Sequence, residues 1–436
     1  MNKEIEIKKI GINGEGIGYI DRKITFVKGA LPDETVIADI TKSTRTFHEG
    51  KIVKIVKRSK DRVPSPCKQY KNCQGCNLLH LDYKAQLNAK KELVRESFRK
   101  YTRYDLNQVV FKDVIPSTKT EGFINNVNLP VVEFNGYLNF GIYQRDSKYL
   151  TLMDRCFKHH PLINQALTDL SKILNETHCK IYDDKFKKGI RFLKLTLRNE
   201  LVTVVFITGK DGLARDVIEK VSQLKYVGAL FQSTNTTKYS SFEETGYTKY
   251  FGDARLPVDF NSQTYLYSVK TKLPDNLDNA LKVYNAIYKM LDDSQKIISV
   301  GGDSCLFEMN IKDSDVVILE DKNYARDDFK LNAKSKALEN IKVKSGSIDD
   351  SIVSLAKKKE YDTVVLFLNN SNISEAIRNS LVLGKIENFI VVGDNYSTMA
   401  KDLGEIEKYY RLERIVGVDT APHVASLTTI AKLKRI

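Results

Sequence analysis

No apolar run in this 436-residue sequence approaches the ~20 residues that a membrane-spanning helix needs. The longest, such as Val364–Leu368 and Phe389–Val392, are short. The start, Met1-Asn2-Lys3-Glu4-Ile5, lacks the apolar core of a secretory signal, so a cytoplasmic chain with no membrane partner is expected. Internal repeats and low-complexity tracts are also missing. Cysteine is scarce, with six in all, and a cytosolic chain of this size does not depend on disulfides. Negative charge is the minority: 55 Asp+Glu face 69 Lys+Arg, a formal net charge of +14. That excess favours a polyanionic partner, most simply nucleic acid; a soluble basic protein without one is the alternative. A hydrophobic content of 42% excludes a wholly disordered chain. At about 150 residues per domain, the length indicates two to four domains.

Residues 1–60 read as five short strands, Ile5–Ile10, Gly18–Ile20, Ile24–Val27, Thr35–Ile40 and Lys51–Val56. Turn signals such as Asn13-Gly14 and Leu31-Pro32-Asp33 separate them. This density suggests a small closed barrel of OB type, with an SH3-like barrel as the alternative. A linker stiffened by Pro64 and Pro66 follows. The segment Tyr83–Arg103 reads as a helix with Leu87, Val94 and Phe98 on its apolar stripe. It carries Lys84, Lys90, Lys91, Arg95, Arg99, Lys100 and Arg103 against only Glu92 and Glu96. A solvated face and an RNA contact both account for that charge. Residues 110–270 look strand-rich, with Arg191–Leu197 and Leu201–Thr208 as a hairpin. From about 277, helices (Leu277–Leu291, Arg326–Asn340) alternate with strands (Lys296–Val300, Val316–Leu319, Thr363–Leu368, Phe389–Val392). Such alternation indicates a parallel, doubly wound α/β sheet.

Three of the six cysteines, Cys67, Cys73 and Cys76, form a C-x5-C-x2-C cluster. Thiolates that close together suit iron–sulfur or zinc chemistry. A tetrahedral site needs a fourth ligand, and Cys156, in the polar turn Asp154–Pro161, is the best cysteine for it. Zinc with His80, His159 or His160 is the alternative. Cys179 and Cys305 flank apolar runs and are expected in cores.

Barrel, cysteine cluster, strand-rich middle and C-terminal α/β domain together resemble the RNA uracil-5-methyltransferases of the bacterial 23S rRNA type, over nearly the whole chain. Gly14-Glu15-Gly16-Ile17-Gly18 and Phe26–Pro32 are similar to that family's TRAM domain, an OB-like RNA-binding barrel. The cysteine cluster, with Gly141-Ile142-Tyr143 running on to Asp154-Arg155-Cys156, is similar to its [4Fe–4S] ligand set. The resemblance implies a TRAM/OB-like barrel at 1–60 and a strand-rich central domain at 61–275. It implies a Rossmann-like methyltransferase domain at 276–436. It assigns Cys67, Cys73, Cys76 and Cys156 to the cluster, and Gly301, Gly302 and Glu320 to S-adenosylmethionine.

The family's chemistry explains what is missing. Carbon 5 of uracil becomes nucleophilic only after a thiolate adds to C6, and a base must then remove the C5 proton. The matching position for the cysteine is Asp394, and that for the glutamate is Ala425. A carboxylate is a poor conjugate-addition nucleophile and a methyl group takes no proton. The cofactor loop reads Val300-Gly301-Gly302-Asp303-Ser304-Cys305 without G-x-G, and the Asp-Pro-Pro-Arg stretch falls on Phe367-Leu368-Asn369-Asn370. The Phe-Gln-Val-Asn cofactor segment reads Leu273-Pro274-Asp275-Asn276. A basic segment of the middle domain reads Gly122-Phe123-Ile124-Asn125-Asn126. The expectation is therefore a catalytically silent RNA-binding family member with no catalytic residue. Its RNA is expected to be rRNA, and an active paralogue is a candidate partner. An active S-adenosylmethionine-dependent rRNA or tRNA methyltransferase with a rearranged site is the alternative.

Overall fold

The computed structural model describes residues 2–73, 75–143, 150–237, 245–291, 293–369 and 372–436. Gln74 of the cysteine cluster and Asn370 lie outside the described residues. Contacts divide the chain into two units. The first joins Met1–Pro66, Gly75–Thr118 and Asp278–Ile436; the second joins Cys67–Gln74 and Lys119–Leu277.

The first unit begins with a six-stranded sheet. Its order is Asn2–Glu6, Thr35–Ser43, Phe47–Lys57, Lys23–Lys28, Gly16–Ile20, Lys9–Ile10. The segment expected as one strand, Ile5–Ile10, is two. Up to Glu6 it pairs with Thr35–Ser43, and from Lys9 it pairs with Gly16–Ile20. At the switch Ile7 N–H donates to Glu34 O and Lys8 N–H to Ile17 O. One chain segment thus serves both edges of the sheet, which removes open edges. Ile5, Ile7, Val27, Val36 and Ala38 fill the interior.

The helix Tyr83–Tyr101 is capped by Asp82, whose carboxylate accepts from Lys84 N and Ala85 N. Its buried face is Gln86, Lys90, Leu93, Val94, Ser97 and Phe98. That stripe lies against the helix Tyr396–Gly404, where Ser97 Oγ and Ser397 Oγ are 2.9 Å apart. Val94 and Phe98 are buried as the sequence suggests, and Leu87 only partly so.

The same unit contains an eight-stranded sheet. Its order is Ile341–Lys344, Asp315–Leu319, Lys296–Val300, Thr363–Leu368, Asn388–Gly393, Thr428–Arg435, Tyr410–Val418 and Val110–Phe111. The first five strands are parallel, and Thr428–Arg435 runs antiparallel beside them. Chain order reverses at Lys296–Val300, so the crevice for a ligand opens at the carboxyl end of this strand. The helix expected at Arg326–Asn340 occupies Asn323–Ser335; Ala337, at φ 50°, ends the helical path before the edge strand.

The second unit is built on a seven-stranded sheet. Its order is Leu150–Leu152, Tyr137–Tyr143, Asn126–Phe134, Ile190–Arg198, Leu201–Thr208, Val227–Thr234 and Thr245–Gly252. The expected hairpin is present in antiparallel register, Arg198 opposite Leu201. Two helices, Pro161–Glu176 and Arg215–Ser222, interrupt the strand-rich reading. The first has Pro161 in its opening turn and buries Ile163, Ala166, Leu167, Leu170, Ile173 and Leu174. Among the described residues, no helix is long and apolar enough to cross a membrane.

Candidate functional site

The residues expected to meet the cofactor lie where the sheet order reverses. Gly301 follows the strand Lys296–Val300, and Glu320 follows Asp315–Leu319. Gly301 sits at φ 78°, and a Cβ there would fall 2.8 Å from Phe367 O. A Cβ on Gly302 would fall 2.6 Å from Glu308 Oε1. Gly301 is thus required by its backbone conformation and the Phe367 carbonyl, whereas a side chain at Gly302 would have to displace the buried Glu308 carboxylate. Asn369 closes the loop by donating its side-chain N–H to Gly301 O at 2.8 Å. Tyr284, Phe307 and Phe367 pack together beneath it, with ring centroids 5.4–6.4 Å apart.

Two carboxyls are buried here. Glu308 is fully buried and accepts from Ser299 Oγ, and burial raises its carboxyl above the usual range. Glu320 is 2% exposed and accepts from Lys322 N at 2.9 Å. Burial pushes it up to about 7, and the nearby Asp321 and Asp303 carboxyls push the same way. Glu308 Oε2 and Glu320 Oε2 have no hydrogen-bond partner among the described residues. Lys322 and Asp303 form an ion pair beside Glu320. For S-adenosylmethionine the fit is partial. The orphaned Glu320 oxygen suits a ligand hydroxyl donor, whereas the glycines face protein atoms.

Cys305 is buried in the same loop, and burial raises its thiol well above the usual range. It is a core residue, as its sequence context suggests, and a poor thiolate source.

The expected nucleophile position, Asp394, follows the strand Asn388–Gly393 and is exposed. Its Oδ1 accepts from Thr428 Oγ1 at 2.5 Å, and Thr428 Oγ1 lies 2.6 Å from Thr420 Oγ1. Ala425 is 1% exposed, and its N–H donates to Asn77 Oδ1 at 2.9 Å. Its side chain ends in the hydrophobic core.

The loop between Tyr410–Val418 and Thr428–Arg435 is held from the helix Tyr83–Tyr101. Lys90 Nζ donates to Asp419 Oδ1 at 2.6 Å and to Ala421 O at 3.0 Å, and both side chains of the ion pair are fully buried. Gln86 Oε1 accepts from His423 N at 3.0 Å, and Gln86 Nε2 lies 3.2 Å from His423 Nδ1. Tyr83 OH donates to Asp419 Oδ2 at 2.9 Å. His423, near the expected base position in sequence, is therefore a buried structural residue at φ 67°. Lys90 was counted above with the basic surface of this helix; the structure corrects that, because its charge is spent inside. Lys91 and Arg95 also have acidic neighbours, Asp113 at 2.7 Å and Glu92 at 3.5 Å. Spacing gave a signal for the buried pair, since Gln86, Lys90, Leu93, Val94 and Ser97 share one helical face.

In the second unit Cys73 ends the short helix Tyr70–Cys73, and Cys156 lies in the turn before Pro161–Glu176. Both pack on the same apolar core. Burial raises the Cys156 thiol, while the nearby Lys158 and His159 backbone N–H groups and the Lys158 charge pull the other way; His159 N–H itself donates to Cys156 O at 3.2 Å. Asn164 fixes the turn through Cys156 N (2.9 Å) and Cys156 O (3.0 Å). Thiols of this kind suit either iron–sulfur or zinc ligation. Yet among the described residues no group of three or more His, Cys, Asp or Glu is disposed to hold a metal ion. His159 is buried, and burial lowers it to about 4. His160 accepts from Leu162 N as a helix cap. His80, in the first unit, is buried beside Arg62 and lowered to about 4.

Residues 2–53 match the TRAM domain. The chain is 28% identical to an uncharacterized RNA methyltransferase of Enterococcus faecalis, over 99% of this chain and 97% of that one. It is equally similar, at 28%, to an uncharacterized RNA methyltransferase of Bacillus cereus, covering 99% and 96%. Among solved structures it resembles the tRNA (uracil-54, C5)-methyltransferase of Pyrococcus abyssi, solved with S-adenosyl-L-homocysteine. The TM-score is 0.76 at 19% identity, covering 99% of this chain and all of that one. The chain thus carries a TRAM domain, is similar to RNA methyltransferases along nearly its full length, and shares the fold of the Pyrococcus abyssi enzyme.

Proposed function

We propose that the protein binds RNA, most simply rRNA, and does not methylate uracil C5 by the family's covalent route. The observation that carries this is the pair of residues at the reacting positions. Asp394 offers a carboxylate hydrogen-bonded to Thr428, and Ala425 buries a methyl group in the core. Neither thiolate addition to C6 nor removal of the C5 proton has a side chain to perform it. The buried Lys90–Asp419 pair and Gln86 knit the adjacent loop to the preceding helix, which favours a structural role for this region. Cys305, buried and hard to ionise, is no substitute nucleophile.

S-Adenosylmethionine, if bound, would bring the methyl group and sulfonium to the crevice. Glu320 would accept from a ribose hydroxyl, and the Gly301–Cys305 loop would bound the site. The test is tritiated-methyl transfer from S-adenosylmethionine to unmodified rRNA. Background incorporation is expected. Robust incorporation at uracil C5 that survives Asp394→Ala would sink the reading.

From the family resemblance and the four thiols we also infer a [4Fe–4S] cluster held by Cys67, Cys73, Cys76 and Cys156. Anaerobically purified protein should be brown with broad visible absorption, and Cys156→Ser should lose the colour. A colourless preparation with stoichiometric zinc would favour the zinc alternative.

A further inference from the structure

Between Tyr182 and Arg191 the second unit presents a small rigid turn that the methyltransferase reading does not use. Asp183 builds it: its carboxylate accepts from Lys185 N at 2.7 Å and Phe186 N at 3.0 Å. Its backbone N–H donates to Lys188 O at 2.8 Å, and its carbonyl accepts from Lys187 N at 2.7 Å. The turn is fastened from below. Both Asp211 carboxylate oxygens accept from Gly189 N at 2.9 Å, and Lys210 N donates to Lys187 O at 2.7 Å. At its exit the Arg191 guanidinium lies 4.7 Å from the Tyr182 ring centroid and donates to Asn235 and Thr237.

At the tip of this scaffold stands Phe186, 64% exposed. An aromatic ring left in water contributes little to folding. The Lys185 ammonium lies 5.5 Å from its ring centroid, Lys188 is exposed on the same turn, and Lys210 is exposed on the segment that braces it. The local acids are occupied: Asp183 and Asp211 by backbone N–H groups, and Asp184 by Lys187 at 2.5 Å. Asp183 and Asp184 are exposed as well, but with Lys185, Lys187, Lys188, Lys210 and Arg191 against Asp183, Asp184 and Asp211 the turn and its brace carry an aromatic ring and a net positive charge. Protein-binding patches deplete lysine around their apolar anchors. Single-stranded nucleic acid is bound by the opposite combination, aromatic faces for bases and ammonium groups for phosphates. A turn already held in shape loses little entropy on binding.

We propose that this turn is a second RNA contact, outside the barrel, in which Phe186 stacks on an unpaired base while Lys185, Lys188 and Lys210 hold the flanking phosphates. It rests on the RNA-binding reading above and adds the class of RNA: unpaired, and read without base-specific hydrogen bonds.

The test is fluorescence anisotropy of the full chain with a fluorescein-labelled, unstructured oligouridine at low salt. Phe186→Ala should raise Kd about ten-fold, and Phe186→Tyr should keep it near wild type. Lys185→Gln with Lys188→Gln should lower the slope of log K against log salt by roughly 1.4, as for two released phosphates on a single strand. Thermal melting should be unchanged in Phe186→Ala, because the ring is exposed. Wild-type affinity in Phe186→Ala would overturn this contact and leave the RNA reading standing. Equal weakening in Phe186→Tyr would overturn the stacking role. A wild-type chain that ignores the RNA would overturn both proposals.

Discussion

Two loops at the carboxyl ends of one sheet differ in how their polar groups are satisfied. Around Asp394 and Ala425, the partners are protein atoms: Thr428, Asn77, Gln86 and the Lys90–Asp419 ion pair. Around Gly301 and Glu320, two buried carboxyl oxygens, Glu308 Oε2 and Glu320 Oε2, are left without partners among the described residues. A buried polar atom without a partner is expensive to keep. The first region reads as architecture, whereas the second keeps the unsatisfied chemistry of a ligand site. The two loops are therefore satisfied in different ways within one sheet.

The sharpest way to break this contrast is Lys90→Met. It leaves Asp419 buried and uncompensated, at a cost of about 3–5 kcal/mol by denaturant unfolding. Lys84→Met, on the exposed side of the same helix, should stay within about 0.5 kcal/mol. Equal effects would mean that the helix does not hold the Asp419–His423 loop as described.

Glu320→Gln probes the other region. Burial pushes its carboxyl up to about 7, from about 4.5 in an unfolded chain. Between those values the folded state holds more protons than the unfolded one, so stability falls as pH rises from 4.5 through about 7. Glu320→Gln should remove that slope and stabilise the protein at neutral pH. A wild type and variant with parallel pH profiles would contradict the buried, raised carboxyl. Asn77→Ala should have a smaller effect, about 1–2 kcal/mol, by freeing Ala425 N and Asn13 O; no loss on thermal or chemical unfolding would refute its bracing role.

The barrel and the α/β sheet were legible because alternation and strand–helix order are local signals. Lys296–Val300 and Thr363–Leu368 occur with the limits read from sequence. The helix Pro161–Glu176 was also written locally, in the proline at its start and six apolar residues on one face, yet surrounding strands obscured it. Lys90 was legible only through its spacing with Gln86, Leu93 and Val94 on one helical face. A lysine on a basic helix reads as solvated, and its partner Asp419 lies 329 residues along the chain. At the cofactor site the glycines were visible, but what they accommodate was not. Only the fold brings Phe367 O and Glu308 against them. The exposure of Phe186 likewise depends on how Asp183 and Asp211 shape the turn around it.

The most direct measurement places tritium at uracil C5 of unmodified rRNA and follows its release alongside RNA binding. The family's covalent route must expel that hydrogen. The account predicts bound RNA with tritium retained at the level of buffer alone. Release that depends on the protein and on S-adenosylmethionine would contradict it.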